Sequence, residues 1–128
     1  MAPTGERSNG KPIGAVMVVG GGIAGMQASL DLAEQGFKVY LVEAQSAIGG
    51  KMAQLDKTFP TNDCAMCTIS PKLVETGRHP NIQILTNAEV QEVQGQAGNF
   101  TARIRLEPRY VDPSRCVACN DCVDVCPV

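Results

Sequence analysis

The sequence predicts an α/β fold: a parallel β-α-β unit, then a β-hairpin, then the start of a small cysteine-bound module. Three observations predict it. An apolar run over residues 13–19 stops at Gly20-Gly21-Gly22-Ile23-Ala24-Gly25, and apolar residues at helical spacing lead to a second short run over 38–43. Apolar and polar residues alternate over 100–106. Four of the six cysteines crowd into the last thirteen residues.

Each element has a local cause. Residues 1–12 are polar and rich in Gly, Pro and Ser, which predicts a disordered tail. Residues 13–19 (IGAVMVV) are short, apolar and bounded by glycine, as a buried parallel strand is. Ile23, Met26, Leu30 and Ala33 share a helical face, and Gly36 follows as a helix stop. Residues 38–43 (KVYLVE) complete the β-α-β unit. Residues 44–66 read as a loop carrying Gly49-Gly50. Ser70-Pro71 reads as a helix start, Ser as N-cap and Pro in the first turn, with an end near Gly77. A brief strand is expected over 82–85. Residues 88–93 and 100–106 form the hairpin, turning across 95–99. Phe100, Ala102, Ile104 and Leu106 face inward, while Glu89, Glu92, Arg103 and Arg105 fit an exposed face. The prolines of segment 108–113 mark a boundary, giving units of 1–12, 13–107 and 108–128.

Composition narrows the function. The 128 residues are 44% hydrophobic and 19% charged, enough for one ordinary globular domain. A net charge of −2, with no Lys/Arg cluster, gives no electrostatic case for nucleic acid. No apolar run approaches the roughly 20 residues that span a bilayer, and no signal-peptide core stands at the N-terminus. A cytoplasmic chain is expected, held at a membrane only through partners. Grouped cysteines without a secretory signal point to metal or redox use rather than a disulfide framework.

Gly20-x-Gly22-x-x-Gly25 between a strand and a helix, with an acid closing the next strand, is a dinucleotide-binding pattern. Gly20 permits the tight turn, Gly22 lets a pyrophosphate approach the backbone, and Gly25 allows the helix to lie close to the strand. The helix N-terminus offers free N–H groups to phosphate, and Glu43 can accept hydrogen bonds from ribose hydroxyls. An acid here argues against a 2′-phosphate. With Gly36 and Gly49-Gly50-Lys51, the longer pattern resembles the N-terminal FAD motif of two-dinucleotide flavoproteins, with NAD as the alternative. Ser29 stands where that group often has Ala or Gly. Lys51 either steadies flavin or phosphate charge or is a solvated loop lysine.

Cys116, Cys119, Cys122 and Cys126-Pro127 follow the bacterial ferredoxin spacing C-x2-C-x2-C-x3-C-P for a 4Fe-4S cluster. Three thiolates suit one cluster, and the fourth, before proline, usually belongs to a second one. The expectation is therefore a piece of a larger iron–sulfur protein. Asp121 and Asp124 should face solvent. Cys64-Ala-Met-Cys67 leaves three readings open: ligands to a cluster completed by cysteines elsewhere or in a partner, a dithiol or disulfide near the flavin, or structural thiols. His79, the one histidine, reads as a helix-end or surface residue.

These motifs, with FPTNDCAMC, SPKLVETGRHPNI and PRYVD in this order, resemble the iron–sulfur flavoprotein (the A subunit) of heterodisulfide reductase and the flavoprotein subunit of quinone-interacting membrane-bound oxidoreductase. The resemblance implies a Rossmann-like FAD domain, incomplete here, joined to the start of a ferredoxin-like 4Fe-4S module. It implies an oxidoreductase subunit in which FAD exchanges electrons with 4Fe-4S clusters inside a multi-subunit redox complex. On this sequence Gly20, Gly22, Gly25, Glu43 and Gly50 match the FAD positions, and Cys116, Cys119, Cys122 and Cys126 the cluster ligands. Asn120 replaces the usual Gly of the cluster loop, and Asn tolerates left-handed backbone angles. A non-catalytic module that binds a dinucleotide and lends cluster ligands to a partner is the alternative. No general acid, base or nucleophile constellation is visible.

Overall fold

In a computed structural model, which describes residues 14–112 and 114–127, the first apolar run forms β1 (Ala15–Val19) and the second β2 (Lys38–Val42). The expected tail, and Ile13 at the expected start of the first strand, lie outside the described residues. β1 and β2 pair in parallel with Ala15 opposite Lys38 and Val19 opposite Val42. β3 (Ile82–Leu85) pairs in parallel with the other edge of β2, Val39 opposite Ile82. β2 is thus the central strand, and its Val39, Leu41 and Val42 are buried.

The crossover between β1 and β2 is α1 (Ile23–Glu34). Met26, Leu30 and Ala33, spaced along one face, are its buried apolar residues. Gly36 ends it in the left-handed region, at φ +93°, and its N–H closes on the Ala33 carbonyl. A second helix, α2 (Ala65–Arg78), adds Ile69 to the same core, with Leu73 packed against it. Ile69 is fully buried among Met26, Leu30 and Val39. Ile69→Ala is therefore expected to cost about 3 kcal/mol, lost transfer energy plus a cavity, readable as a lower midpoint in urea.

Two local expectations give way. The helix read as starting at Ser70-Pro71 begins a turn and a half earlier, with Cys64 as its N-cap, and Pro71 lies inside it. An internal proline forfeits one backbone hydrogen bond and costs about 3 kcal/mol. Burial of Ala65 and Ile69 ahead of it, and Leu73 behind it, outweighs that loss. The stretch 44–66 is not all loop either, since Gly50–Gln54 forms a short 3-10 helix.

The hairpin is longer and tighter than expected. β4 (Ala88–Gln96) and β5 (Asn99–Leu106) pair up to Gln96 opposite Asn99, leaving Ala97-Gly98 as the turn. A bulge falls between Val90 and Glu92. The charged face is as expected: Arg105 meets Glu89 at 2.8 Å and Arg103 meets Glu92 at 3.8 Å. Such exposed pairs contribute about 0–1 kcal/mol each. The other face is a correction. Phe100 is 63% and Leu106 61% exposed, and Ile104 is only half-buried. The alternation is real, but the hairpin is a separate two-stranded sheet that meets the end of β2 only at its base, where Ala88 is buried and donates its N–H to the Glu43 carbonyl, and its apolar side is left largely exposed. Among the described residues no helix is long and apolar enough to cross a membrane.

Candidate functional site

The strongest local geometry gathers at the C-terminal ends of β1 and β2. The chain leaves β1 through Gly20 at φ +102°, and Gly20 N–H donates to the Val42 carbonyl at 2.7 Å. This ties the turn to the end of β2. A Cβ on Gly25 would lie 1.8 Å from the Gly20 carbonyl oxygen, so only glycine lets the first turn of α1 pass that close. Ser29, the departure noted in the sequence, is buried and donates its hydroxyl to the Gly25 carbonyl at 2.7 Å. A polar residue is therefore satisfied where a small apolar one is common.

Gly22 differs in kind from Gly25. It is the N-cap of α1 at ordinary extended angles, it has no side chain with which to cap the helix, and a Cβ there would meet nothing within 4 Å. The first intrahelical bond runs from Met26 N–H to the Gly22 carbonyl. The N–H groups of residues 23–25 have no intrahelical acceptor, and no acidic residue occupies the first turn. The result is a backbone cradle with a positive dipole end, suited to a phosphate.

Glu43 follows directly on β2. Its Oε2 accepts from Gly21 N–H at 2.6 Å and its Oε1 from Gln45 N–H at 2.8 Å. The carboxylate fastens the glycine loop to the strand end, and its further lone pairs stay available to hydroxyl donors. Gly21, an unmarked position of the motif, is one that sequence reasoning missed. A Cβ there would press on Ile48 at 2.7 Å and on Glu43 Oε2 at 3.1 Å.

A second glycine loop packs on the first. Gly49 N–H donates to the Gly21 carbonyl at 2.7 Å, and a Cβ on Gly50 would stand 3.0 Å from Gly22 Cα. Gly20, Gly22, Gly25, Glu43, Gly49 and Gly50 are thus one cluster. Lys51, the second residue of the 3-10 helix, has an exposed side chain that holds no ion pair among the described residues. The open cradle, the facing carboxylate and the second glycine loop fit a dinucleotide.

The ferredoxin run lies apart from this cluster in sequence and begins on its own turn. The Asp112 carbonyl accepts the N–H groups of Arg115 and Cys116, while its carboxylate accepts both the N–H and hydroxyl of Ser114. Those hydrogen bonds hold the Asp112 carboxyl below its usual range. Cys116, Cys119, Cys122 and Cys126 are all exposed free thiols. Asn120 adopts the left-handed angle expected of it, φ +69°, and caps a four-residue helix, α3 (Asp121–Asp124); Ala118 is also left-handed, at φ +55°. Among the described residues no three ligating side chains stand close enough to hold a metal ion. On this loop with two left-handed residues, the free thiols of Cys116, Cys119 and Cys122 nevertheless suit one 4Fe-4S cluster, and Cys126, before proline, a second one.

Cys64 and Cys67 are joined in a disulfide. His79 is the C-cap of α2, and its Nδ1 accepts from Asn81 N–H at 3.2 Å, a helix-end role.

Comparison with known proteins agrees with this geometry. The FAD dependent oxidoreductase family profile matches residues 15–105, and the 4Fe-4S binding domain profile matches 109–128. The chain is 57% identical over 112 residues to one of the iron-sulfur A subunits of CoB-CoM heterodisulfide reductase from Methanopyrus kandleri, covering 88% of this chain and 17% of that protein. It is 55% identical, with the same coverage, to the A subunit of the H(2):CoB-CoM heterodisulfide,ferredoxin reductase of Methanothermobacter marburgensis. The chain thus spans about a sixth of the length of these curated relatives. Among solved structures, L-proline dehydrogenase from P. horikoshii superposes with a TM-score of 0.61 at 24% identity, over 73% of this chain and 19% of that one, a likeness of fold.

Proposed function

Because the chain belongs to the FAD dependent oxidoreductase family, and carries a 4Fe-4S binding segment like its iron–sulfur relatives from heterodisulfide reductases, we propose that it serves as the electron-transferring iron–sulfur flavoprotein part of a heterodisulfide reductase-like complex. The observation that carries this reading is the pair of interlocked glycine loops at the N-terminus of α1, joined in one chain to the ferredoxin run. When bound, FAD supplies two-electron and one-electron redox chemistry, and a 4Fe-4S cluster supplies one-electron transfer.

The residues divide that work. The N–H groups at the start of α1, opened by Gly20 and Gly22, hold the pyrophosphate, and Gly25 keeps the helix close enough for them to reach it. Glu43 takes the ribose hydroxyls while holding the loop closed. Gly49 and Gly50 wall the site, and Lys51 offers positive charge at its edge. Cys116, Cys119, Cys122 and Cys126 provide the cluster thiolates. The segment beginning at Pro108 divides the FAD unit, 13–107, from the iron–sulfur unit, 108–128. Other subunits of a redox complex are the partners. The first test is the cofactor load of this chain, purified without oxygen and reconstituted with iron, sulfide and FAD. About one FAD and about four irons per chain are expected. Retention of NAD with no flavin overturns the flavin assignment, and flavin without iron overturns the reading that this chain carries a cluster by itself.

A further inference from the structure

The Cys64–Cys67 pair has no part in the function proposed above, and four features bear on what it does. It is not a core element, because both residues are exposed. It closes a loop with a sequence separation of only 3, too short to restrict the unfolded chain as a long-loop staple does. Cys64 is the N-cap of the 14-residue α2, and its Sγ accepts the Cys67 N–H at 3.1 Å. No acidic residue sits in the first turn. A thiolate released at Cys64 would be held by that N–H and by the helix dipole, which makes the sulfur a good leaving group.

The surroundings indicate the kind of partner. Leu55, Phe59 and Met66, on the loop before the pair and in the first turn of α2, are 51%, 96% and 45% exposed. Two exposed sulfurs, with exposed apolar residues close to them in the chain, suit a protein surface better than a small thiol, which would need an enclosing pocket.

We infer that Cys64 and Cys67 form a redox-active pair that exchanges two electrons with a protein dithiol. The partner's thiolate attacks Cys64 Sγ; the partner–Cys64 bond forms, the Cys64–Cys67 bond breaks, and Cys67 leaves as a thiolate that takes a proton. The partner's second thiol, losing its proton, attacks the partner sulfur held in the mixed disulfide. The partner's own disulfide closes and Cys64 leaves as the stabilised thiolate. The partner dithiol is oxidised by two electrons and the pair is reduced by two.

The test uses the whole chain and reads thiols, so its outcome is independent of the flavin assignment. Reduced thioredoxin, as a generic protein dithiol, and glutathione at equal thiol concentration are each followed by maleimide capture and mass spectrometry of the tryptic peptide 58–72. Thioredoxin is expected to open the pair at least about tenfold faster. A thioredoxin lacking its second reactive cysteine is expected to stay bound one-to-one through Cys64. Equal rates, a pair that resists both reductants, or an adduct on Cys67 overturns the inference. So does loss of iron from Cys64→Ser or Cys67→Ser protein, which would make these residues cluster ligands.

Discussion

Replacing Gly25 with alanine is expected to abolish flavin retention and to destabilise the domain by at least about 3 kcal/mol. The added Cβ would fall 1.8 Å from the Gly20 carbonyl oxygen and 3.0 Å from its carbon. Those are backbone atoms, held in turn by the Gly20 N–H bond to Val42. No rotamer change relieves such a contact. Either α1 lifts away from β1, which uncovers Met26 and Leu30, or the turn at Gly20 opens and the cradle is lost. Thermal unfolding by circular dichroism, run beside fluorescence of released flavin, should show both losses together. A Gly25→Ala protein with wild-type stability and a full load of FAD would refute the close-packing account.

Gly22→Ala serves as the control, because the same substitution three residues earlier meets open space. Gly22 already has angles that any residue adopts, φ −75° and ψ −177°. Folding should lose no more than about 1 kcal/mol, since Ala is a poorer N-cap than Gly but meets no clash here. Flavin affinity should nevertheless drop by more than about tenfold, since the methyl group stands where a pyrophosphate must approach the backbone. The two glycines of one motif are thus expected to fail differently, one through the fold and one through the ligand.

How far the sequence carries depends on whether the signal is local. The β-α-β unit was legible because every cue lies within a few residues: an apolar run, a glycine turn, a helical stripe through Met26, Leu30 and Ala33, and a stop at Gly36. The left-handed angle at Asn120 was legible for the same reason, since Asn tolerates it, whereas Ala118 in the same loop carries no such mark. The start of α2 was not legible. Ser70-Pro71 imitates a helix start, while the real cap is a cysteine sulfur, and burial of Ala65 and Ile69 decides between them. The alternation in β5 was read correctly as a pattern and incorrectly as burial. Periodicity reports which side chains share a face, but not whether anything lies over it. The stacking of Gly49-Gly50 on Gly21-Gly22 joins loops far apart in the chain, and the sequence hinted at it only through resemblance.

Glu43→Gln should produce the second largest effect, and it isolates charge from shape. The carboxylate accepts two backbone N–H groups, one on the glycine loop at 2.6 Å and one on the following turn at 2.8 Å. Hydrogen bonds to a charged acceptor contribute about 1.5–3 kcal/mol each. The amide of Gln keeps one carbonyl oxygen, so one bond survives in neutral form, while the NH2 group would face an N–H donor. A loss of about 2–4 kcal/mol follows from the weakened bond together with the partly buried Gly21 N–H left without an acceptor. If Glu43 only received ribose hydroxyls, the substitution would weaken FAD binding and leave the flavin-free protein as stable as before. Because it also clamps the loop, the flavin-free protein should itself unfold earlier in urea. Glu43→Asp separates the two roles further: it restores the charge but shortens the reach, so it should recover stability only if the strand end shifts toward Gly21. Unchanged urea midpoints for the flavin-free Gln variant would remove the clamp and leave Glu43 a ligand-binding residue alone.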